Sequence, residues 1–214
     1  GLSGYLSEIR SYAKDVKTYN QEGIRKAQFY EALTIGIQSM SAFIKRYADL
    51  SQKLAKKESD PDRIKELETI TENCNHISEK PPVNFHEALQ LTFFVQLVLQ
   101  IESNGHSVSL GRLDQYLYPF YKQDVLTGKI TEEQVVELLE NTWIKLLSIN
   151  KIRPWAHTRF SAGGPLYQNV TIGGQTAERL DAVNDLSYLI LDSVGNMKLT
   201  QPNLSVRFHK NISD

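Results

Sequence analysis

From residue 6 to residue 59, apolar side chains return at steps of three and four. Phe29, Leu33, Ile37, Met40, Phe43, Ile44 and Tyr47 mark one face, with Lys and Glu opposite, which predicts amphipathic helix. Asp60-Pro61 restarts a helix, with Asp60 as N-cap and Pro61 at the first helical position, where a missing donor costs nothing. This second helix carries Ile64, Leu67, Ile70 and Ile77 and stops before Pro81-Pro82. Asn84, with Glu87 three residues on as capping-box partner, opens a third. Its Phe85, Ala88, Leu89, Leu91, Phe93, Phe94, Val95, Leu97, Val98, Leu99 and Ile101 cover most of the circumference. A helix apolar nearly all round belongs in the middle of a large body. Its apolar run, residues 89–101, is interrupted by Gln90, Gln96 and Gln100 and is too short to span about 30 Å of hydrocarbon.

The pattern then changes. Ser103-Asn104-Gly105-His106-Ser107-Val108-Ser109-Leu110-Gly111-Arg112 delivers polar groups directly after the most apolar helix. An aromatic cluster follows (Tyr116, Tyr118, Phe120 and Tyr121), then a turn near Thr127-Gly128. Thr131 and Gln134 form a second capping box, and Val135, Leu138, Leu139, Trp143, Ile144 and Leu147 a buried stripe. Residues 151–166 show no period and read as a loop. Residues 167–172 read as a buried strand closed by Gly173-Gly174, residues 176–197 as a helix and residues 203–208 as a strand. Strand, helix and strand in this order predict an α/β unit with parallel strands and a right-handed crossover. There is no repeat, low-complexity tract or linker, so the 214 residues read as one segment: a helical scaffold over 1–80, and a part carrying the strands over 81–214.

Composition narrows the function classes. Net charge is −1, from 24 basic and 25 acidic residues, which leaves no electrostatic footprint for nucleic acid. The single cysteine, Cys74, excludes a disulfide framework and a cysteine-based zinc site and suits a reducing cytoplasm. Cys74 and His76 stand two apart on a helix, hence on different faces, and read as structural. No basic n-region with an apolar h-region opens the chain. It also starts without Met and stops at Asn211-Ile212-Ser213-Asp214, where Ser or Asp suits an N-cap and a further helix is expected.

His106, Ser107 and Ser109 are the candidate chemistry. Adjacent residues on an extended segment point to opposite faces, so His106 cannot readily act as base for Ser107, and no Gly-x-Ser-x-Gly elbow is present. Two readings remain: hydrogen bonding to a polar ligand, or satisfying backbone groups at the helix end. Arg112 and Asp114 read as a buried structural pair. Gly163-Gly164-Pro165 and Gly173-Gly174 lack the phosphate-loop pattern, and His157 and His209 lack partners at metal-ligand spacing.

Several motifs resemble the glycyl radical enzymes: Phe85-His86-Glu87-Ala88-Leu89-Gln90, Glu102-Ser103-Asn104-Gly105-His106-Ser107 and Gly111-Arg112-Leu113-Asp114-Gln115-Tyr116-Leu117-Tyr118-Pro119. Tyr167-Gln168-Asn169-Val170-Thr171-Ile172-Gly173-Gly174, Asp181-Ala182-Val183-Asn184-Asp185-Leu186-Ser187-Tyr188 and Gln201-Pro202-Asn203-Leu204-Ser205-Val206-Arg207 continue the match. They are most similar to the dehydratase and lyase branch of the pyruvate formate-lyase-like superfamily. That branch includes glycerol and propanediol dehydratases, hydroxyproline dehydratase and choline lyase. The resemblance implies a helix-rich α/β fold, with N-terminal helices leading into part of a ten-stranded barrel. It implies a stored glycyl radical, a cysteine thiyl that takes a hydrogen atom from a small hydroxylated substrate, a radical-SAM activase and a cytoplasmic homodimer. His106 and Ser107 match positions that contact substrate hydroxyls. Gly164 falls where relatives place an aromatic ring, so about 150–250 Å² of contact surface is removed, implying a roomier pocket and a substrate larger than glycerol.

The family's Gly-Cys-Val-Glu-type loop and Arg-Val-x-Gly-Tyr-type motif are not in this sequence, and Cys74 in Glu72-Asn73-Cys74-Asn75 does not match the former. The chain therefore resembles an internal segment, with no activity expected from these residues alone and no bound cofactor. Two other readings stand: part of an acyl-transferring relative, formate C-acetyltransferase, or a non-catalytic helical interaction module.

Overall fold

The computed structural model describes residues 1–103, 105, 107–151, 154–161 and 166–212. These fall into two compact units, Gly1–Val83 and Asn84–Asp214.

The first unit is helical: α1 (Leu2–Lys14), α2 (Gln21–Ala55) and α3 (Pro61–Ile77). The helical run expected over residues 6–59 is broken at residues 15–20. The Asn20 side chain caps α2, its Oδ1 accepting the Gly23 N–H at 2.8 Å. A Cβ on Gly23 would lie 1.7 Å from the Lys17 carbonyl oxygen, so only glycine lets the chain turn so tightly there. On α2, Met40, Ile44, Ala48 and Ser51 are buried where the helix packs along α3, and the Ser51 hydroxyl donates to Leu67 O at 2.7 Å. Phe29 and Tyr47, expected on the buried face, are 59% and 41% exposed. Asp60 caps α3 as expected, its Oδ1 accepting the Asp62 N–H at 2.9 Å, with Pro61 at the first helical position.

The second unit runs α4 (Phe85–Glu102), β1 (Gly111–Arg112), α5 (Leu113–Tyr116), α6 (Tyr118–Leu126), α7 (Glu132–Leu147), α8 (Trp155–Ser161), β2 (Asn169–Gly173), α9 (Asp185–Met197) and β3 (Asn203–Arg207). Helix starts follow their caps. Asn84 Oδ1 accepts the Glu87 N–H at 2.8 Å, and the Thr131–Gln134 capping box opens α7. Buried Asp124, from α6, puts its Oδ2 2.7 Å from the Phe85 N–H, a negative charge at the positive end of α4.

Four expectations need correction. Residues 151–166 are not all loop, because Pro154 O accepts from the His157 and Thr158 amides and opens α8. The helix expected from residue 176 begins at Asp185. Residues before it fold back through a Gln175–Asp181 bridge, and the Asn184–Ser187 capping box sets the start. In α7 the buried stripe takes Leu146, while Ile144 and Leu147 are exposed. Finally, α4 is not sealed all round: Val95, Leu99 and Ile101 face outward, and Gln96 and Gln100 face inward.

The sheet is parallel throughout, in the order β1-β2-β3. Val170 and Ile172 of β2 enter a core formed with Phe85, Leu89, Leu113, Leu139, Trp143, Leu186 and Ile190. The Trp143 Nε1–H, fully buried, donates to Ser193 Oγ at 2.9 Å, so the largest core side chain leaves no polar atom unmet. The opposite face of the sheet is polar, with Ser205 Oγ donating to Asn169 Oδ1 at 2.9 Å. One apolar and one polar face make the strand alternation expected of a sheet covered by helices on one side.

Candidate functional site

The site begins where α4 ends. Ser103 closes the helix, its hydroxyl donating to Leu99 O at 2.6 Å, and the Gly105 N–H returns to Gln100 O at 3.3 Å. A Cβ on Gly105 would meet Ser103 Oγ at 2.6 Å, Val108 Cγ2 at 2.8 Å and Gln100 Oε1 at 3.2 Å. Glycine is therefore required at the point where the chain leaves the helix. Ser107 follows with φ +62°, the left-handed region that a β-substituted residue enters at a cost of roughly 1–2 kcal/mol. Its side chain is exposed, and its hydroxyl has no hydrogen-bond partner among the described residues.

From Ser107 onward the chain runs beside the β2 segment. The Ser107 N–H donates to Leu166 O at 2.9 Å and the Leu110 N–H to Asn169 O at 2.9 Å, and then Gly111 and Arg112 pair with Val170 and Thr171. Tyr167, next to Leu166, is also left-handed at φ +53°. Two non-glycine residues in this region thus flank one hydrogen bond, the kind of local strain that concentrates at binding and catalytic sites.

Beneath lies a chain of buried carboxamides. Gln96 Nε2 donates to Val108 O at 2.8 Å and reaches Gln168 Oε1 at 3.2 Å. Gln168, fully buried, donates from Nε2 to Leu146 O at 2.9 Å, and its amide N–H donates to Gln201 Oε1 at 2.9 Å. Gln100, one turn beyond Gln96, is 3% exposed, and neither end of its carboxamide has a partner among the described residues. These glutamines were missed as site residues. The available signal was the i, i+4 spacing of Gln96 and Gln100 inside an apolar run.

Of the three residues expected to line a pocket, the structure places Ser107 on this pinned segment. His106 and Gly164 lie outside the described residues. The expected Arg112–Asp114 pair does not form. Asp114, fully buried, accepts from the Gly173 N–H at 2.7 Å and the Ser187 hydroxyl at 2.6 Å, while Arg112 Nη1 donates to Gln175 O at 3.0 Å. Each charge is turned toward backbone of the 173–175 bend instead of toward the other.

Elsewhere, Cys74 is fully buried on α3, and burial pushes its thiol up to about 11, the opposite of an activated thiolate. Burial lowers the His86 imidazole from its ordinary value, against a smaller opposing pull from the Glu87 carboxylate. Among the described residues no cluster of three His, Cys, Asp or Glu side chains could hold a metal ion, and no helix is long and apolar enough to cross a membrane.

A family model described as pyruvate formate lyase-like matches residues 1–214. The chain belongs to that family. It is 47% identical over 218 residues to the probable dehydratase YbiW of Escherichia coli, covering 100% of this chain and 27% of that protein. It is 42% identical over 191 residues to the isethionate sulfite-lyase of Nitratidesulfovibrio vulgaris, covering 88% of this chain and 23% of that one. A solved structure concerned with 1,2-propanediol dehydration in Roseburia inulinivorans superimposes with a TM-score of 0.95 at 38% identity, over 100% of this chain and 25% of its own. The chain thus spans about a quarter of the length of these relatives. The sequence resemblance to glycyl radical dehydratases and lyases holds, as does the helix-rich α/β fold.

Proposed function

We propose that this chain forms one wall of the substrate pocket of a glycyl radical dehydratase or C–X lyase, acting on a small hydroxylated substrate. The observation that carries the reading is Ser107. A hydroxyl with no partner among the described residues is held out on a left-handed backbone, pinned to the β2 segment, in a chain whose relatives include a dehydratase and a lyase. The work of this chain is binding: Ser107 Oγ, together with His106, holds a substrate hydroxyl in place. The radical, stored on a glycine and passed to a cysteine elsewhere in the full polypeptide, supplies hydrogen-atom abstraction from the substrate carbon. A radical-SAM activase would install it, and the full enzyme would act as a homodimer in the cytoplasm. These 214 residues alone turn nothing over. Gly164, in place of an aromatic ring, widens the pocket for a substrate larger than glycerol.

The dehydratase and lyase reading is preferred to a formate C-acetyltransferase because the relatives described above carry dehydratase and sulfite-lyase activities in their names. The test uses the full-length polypeptide in its source cells and in purified form. An antibody against these residues should detect a product several times their mass. After anaerobic activation, a glycyl radical signal should appear, and glycerol, propane-1,2-diol, isethionate or a larger hydroxylated compound should be consumed. A product ending near Asp214, or an activated full-length enzyme that turns over only acyl donors, would overturn the reading.

A further inference from the structure

Helix α4 carries no charged side chain between Glu87 and Glu102. Its inner side is accounted for, because Phe85, Ala88, Leu89 and Phe94 are buried and the Gln96 amide holds the Val108 carbonyl oxygen. Its outer side is not. Val95 and Leu99 are 39% and 47% exposed, and half-buried Leu91 and Val98 lie beside them at the three- and four-residue steps of one helical face. Together these aliphatic side chains form a stripe about two turns long. Other helices of the same unit meet water differently: α7 presents exposed Glu137 and Lys145, and α9 exposed Asp192. A helix that faces solvent carries polar and charged residues on that side, so a charge-free outer face is built to be covered.

We propose that the outer stripe of α4 is an internal docking face, covered in the full protein by an apolar segment of the same polypeptide from outside these 214 residues. The chain spans about a quarter of the length of its relatives, so most of the polypeptide able to cover the stripe lies outside it. A second copy is a poorer fit. A standard interface between two chains takes about 20–30 residues a side, far more than the aliphatic side chains at positions 91, 95, 98 and 99 supply. One helix laid across α4 at about 8–10 Å between axes needs only such a stripe, because side chains at three- and four-residue steps form the ridges that a crossing helix receives. The inference rests on the reading of a longer glycyl radical enzyme. It adds that α4, which leads directly into the segment carrying Ser107, is gripped from its outer side as well as its inner one.

The test uses the full-length enzyme without its radical. Leu99→Cys places a thiol on the stripe, and Val95→Cys, a smaller change, is a second variant should the first fold badly. Each is treated with iodoacetamide in the native state, over dilutions that take any assembly to single chains, and the peptide carrying the new thiol is quantified by mass spectrometry. Expected is labelling at least about a hundredfold slower than in the denatured enzyme and unchanged on dilution, because a covered thiol reacts only when its region opens. A crystal structure of the wild-type full-length enzyme should show apolar side chains from outside these residues within about 4.5 Å of Leu99. Labelling as fast as in the denatured enzyme overturns the inference. Protection lost on dilution to single chains assigns the stripe to a second copy and overturns it too. So does a crystal structure in which the stripe is bare or is covered from within residues 1–214. None of these results touches the functional reading, which substrate consumption and the glycyl radical signal test separately. A natural product that ends near Asp214 overturns both together.

Discussion

The Ser107 N–H donates to the Leu166 carbonyl oxygen across 2.9 Å, and this bond fastens the segment after α4 to the segment entering β2. Both sides of the bond are strained, with Ser107 at φ +62° and Tyr167 at φ +53°. The hydroxyl of Ser107 contributes nothing to holding its own backbone. Ser107→Ala should therefore leave the unfolding midpoint of the full-length enzyme unchanged and weaken diol binding about tenfold. Ser107→Gly should weaken binding similarly but raise stability by about 1 kcal/mol, because glycine relieves the left-handed strain. Denaturant titration alongside calorimetry checks both, and a Ser107→Ala variant that binds as wild type would count against the pocket assignment.

Asp114 ties the end of β2 to the first turn of α9 through its side chain. Replacing it with Ala leaves the Gly173 N–H and the Ser187 hydroxyl without their acceptor in a fully buried place. The expected loss is about 2–4 kcal/mol in chemical denaturation. A loss below about 1 kcal/mol would show that these bonds are not what fixes the bend.

Cys74 should be silent toward thiol reagents in the folded protein at pH 8 and react fully on denaturation, since burial pushes its thiol up to about 11. The raised value also sets a sign. Below the ordinary value of 9.0 both folded and unfolded chains keep the proton, so stability is unaffected. Between 9.0 and about 11 only the unfolded chain ionises, so stability should fall as pH rises through that window. Cys74→Ala should flatten the alkaline limb of a stability–pH curve.

His86 should act at the other end of the scale. Its folded value lies below the ordinary 6.5, mainly through burial. Above 6.5 the imidazole is neutral in both states and its contribution is fully present. As pH falls below that, the unfolded chain takes the proton first, so stability is lost on acidification. A His86→Gln variant should lose less stability between pH 7 and pH 5 than wild type, as read by thermal unfolding across that range.

Gly164 gives the steric prediction. Gly164→Tyr in the full-length enzyme would add an aromatic ring of about 150–250 Å². It should reduce affinity for larger hydroxylated substrates by tenfold or more while sparing glycerol. Equal affinities across the size series would mean that position 164 does not bound the pocket.

Local sequence signals placed much of the scaffold. Asp60-Pro61, Asn84 and Thr131 with Gln134 start helices where their side chains suggest, because a cap reaches only two or three residues along the chain. The Asn20 and Asn184 caps act by the same physics but stand inside stretches whose spacing and composition suit unbroken helix, so the break before α2 does not show in the pattern and α9 starts later than the pattern suggests. The short helix α8 was missed because seven residues after a proline carry too little periodicity to register.

Spacing and capping chemistry thus suffice for the helix-rich α/β class and the parallel strands, and the family shows only through the resemblance of whole motifs to known enzymes. The class and the strands are written in neighbouring residues and in the alternation of apolar positions. The surroundings of the candidate site depend on partners distant in sequence. Gln96 meets Gln168 across 72 positions, and Asp114 finds Gly173 and Ser187 across 59 and 73. No local rule sees such partners, so Arg112 and Asp114 read as a pair, and two inward-facing glutamines read as interruptions. Whether a polar side chain on an apolar helix faces water or the interior depends on what the fold brings opposite it. Here it brought the Val108 carbonyl and Gln168 to Gln96, and laid Gly105 against Gln100.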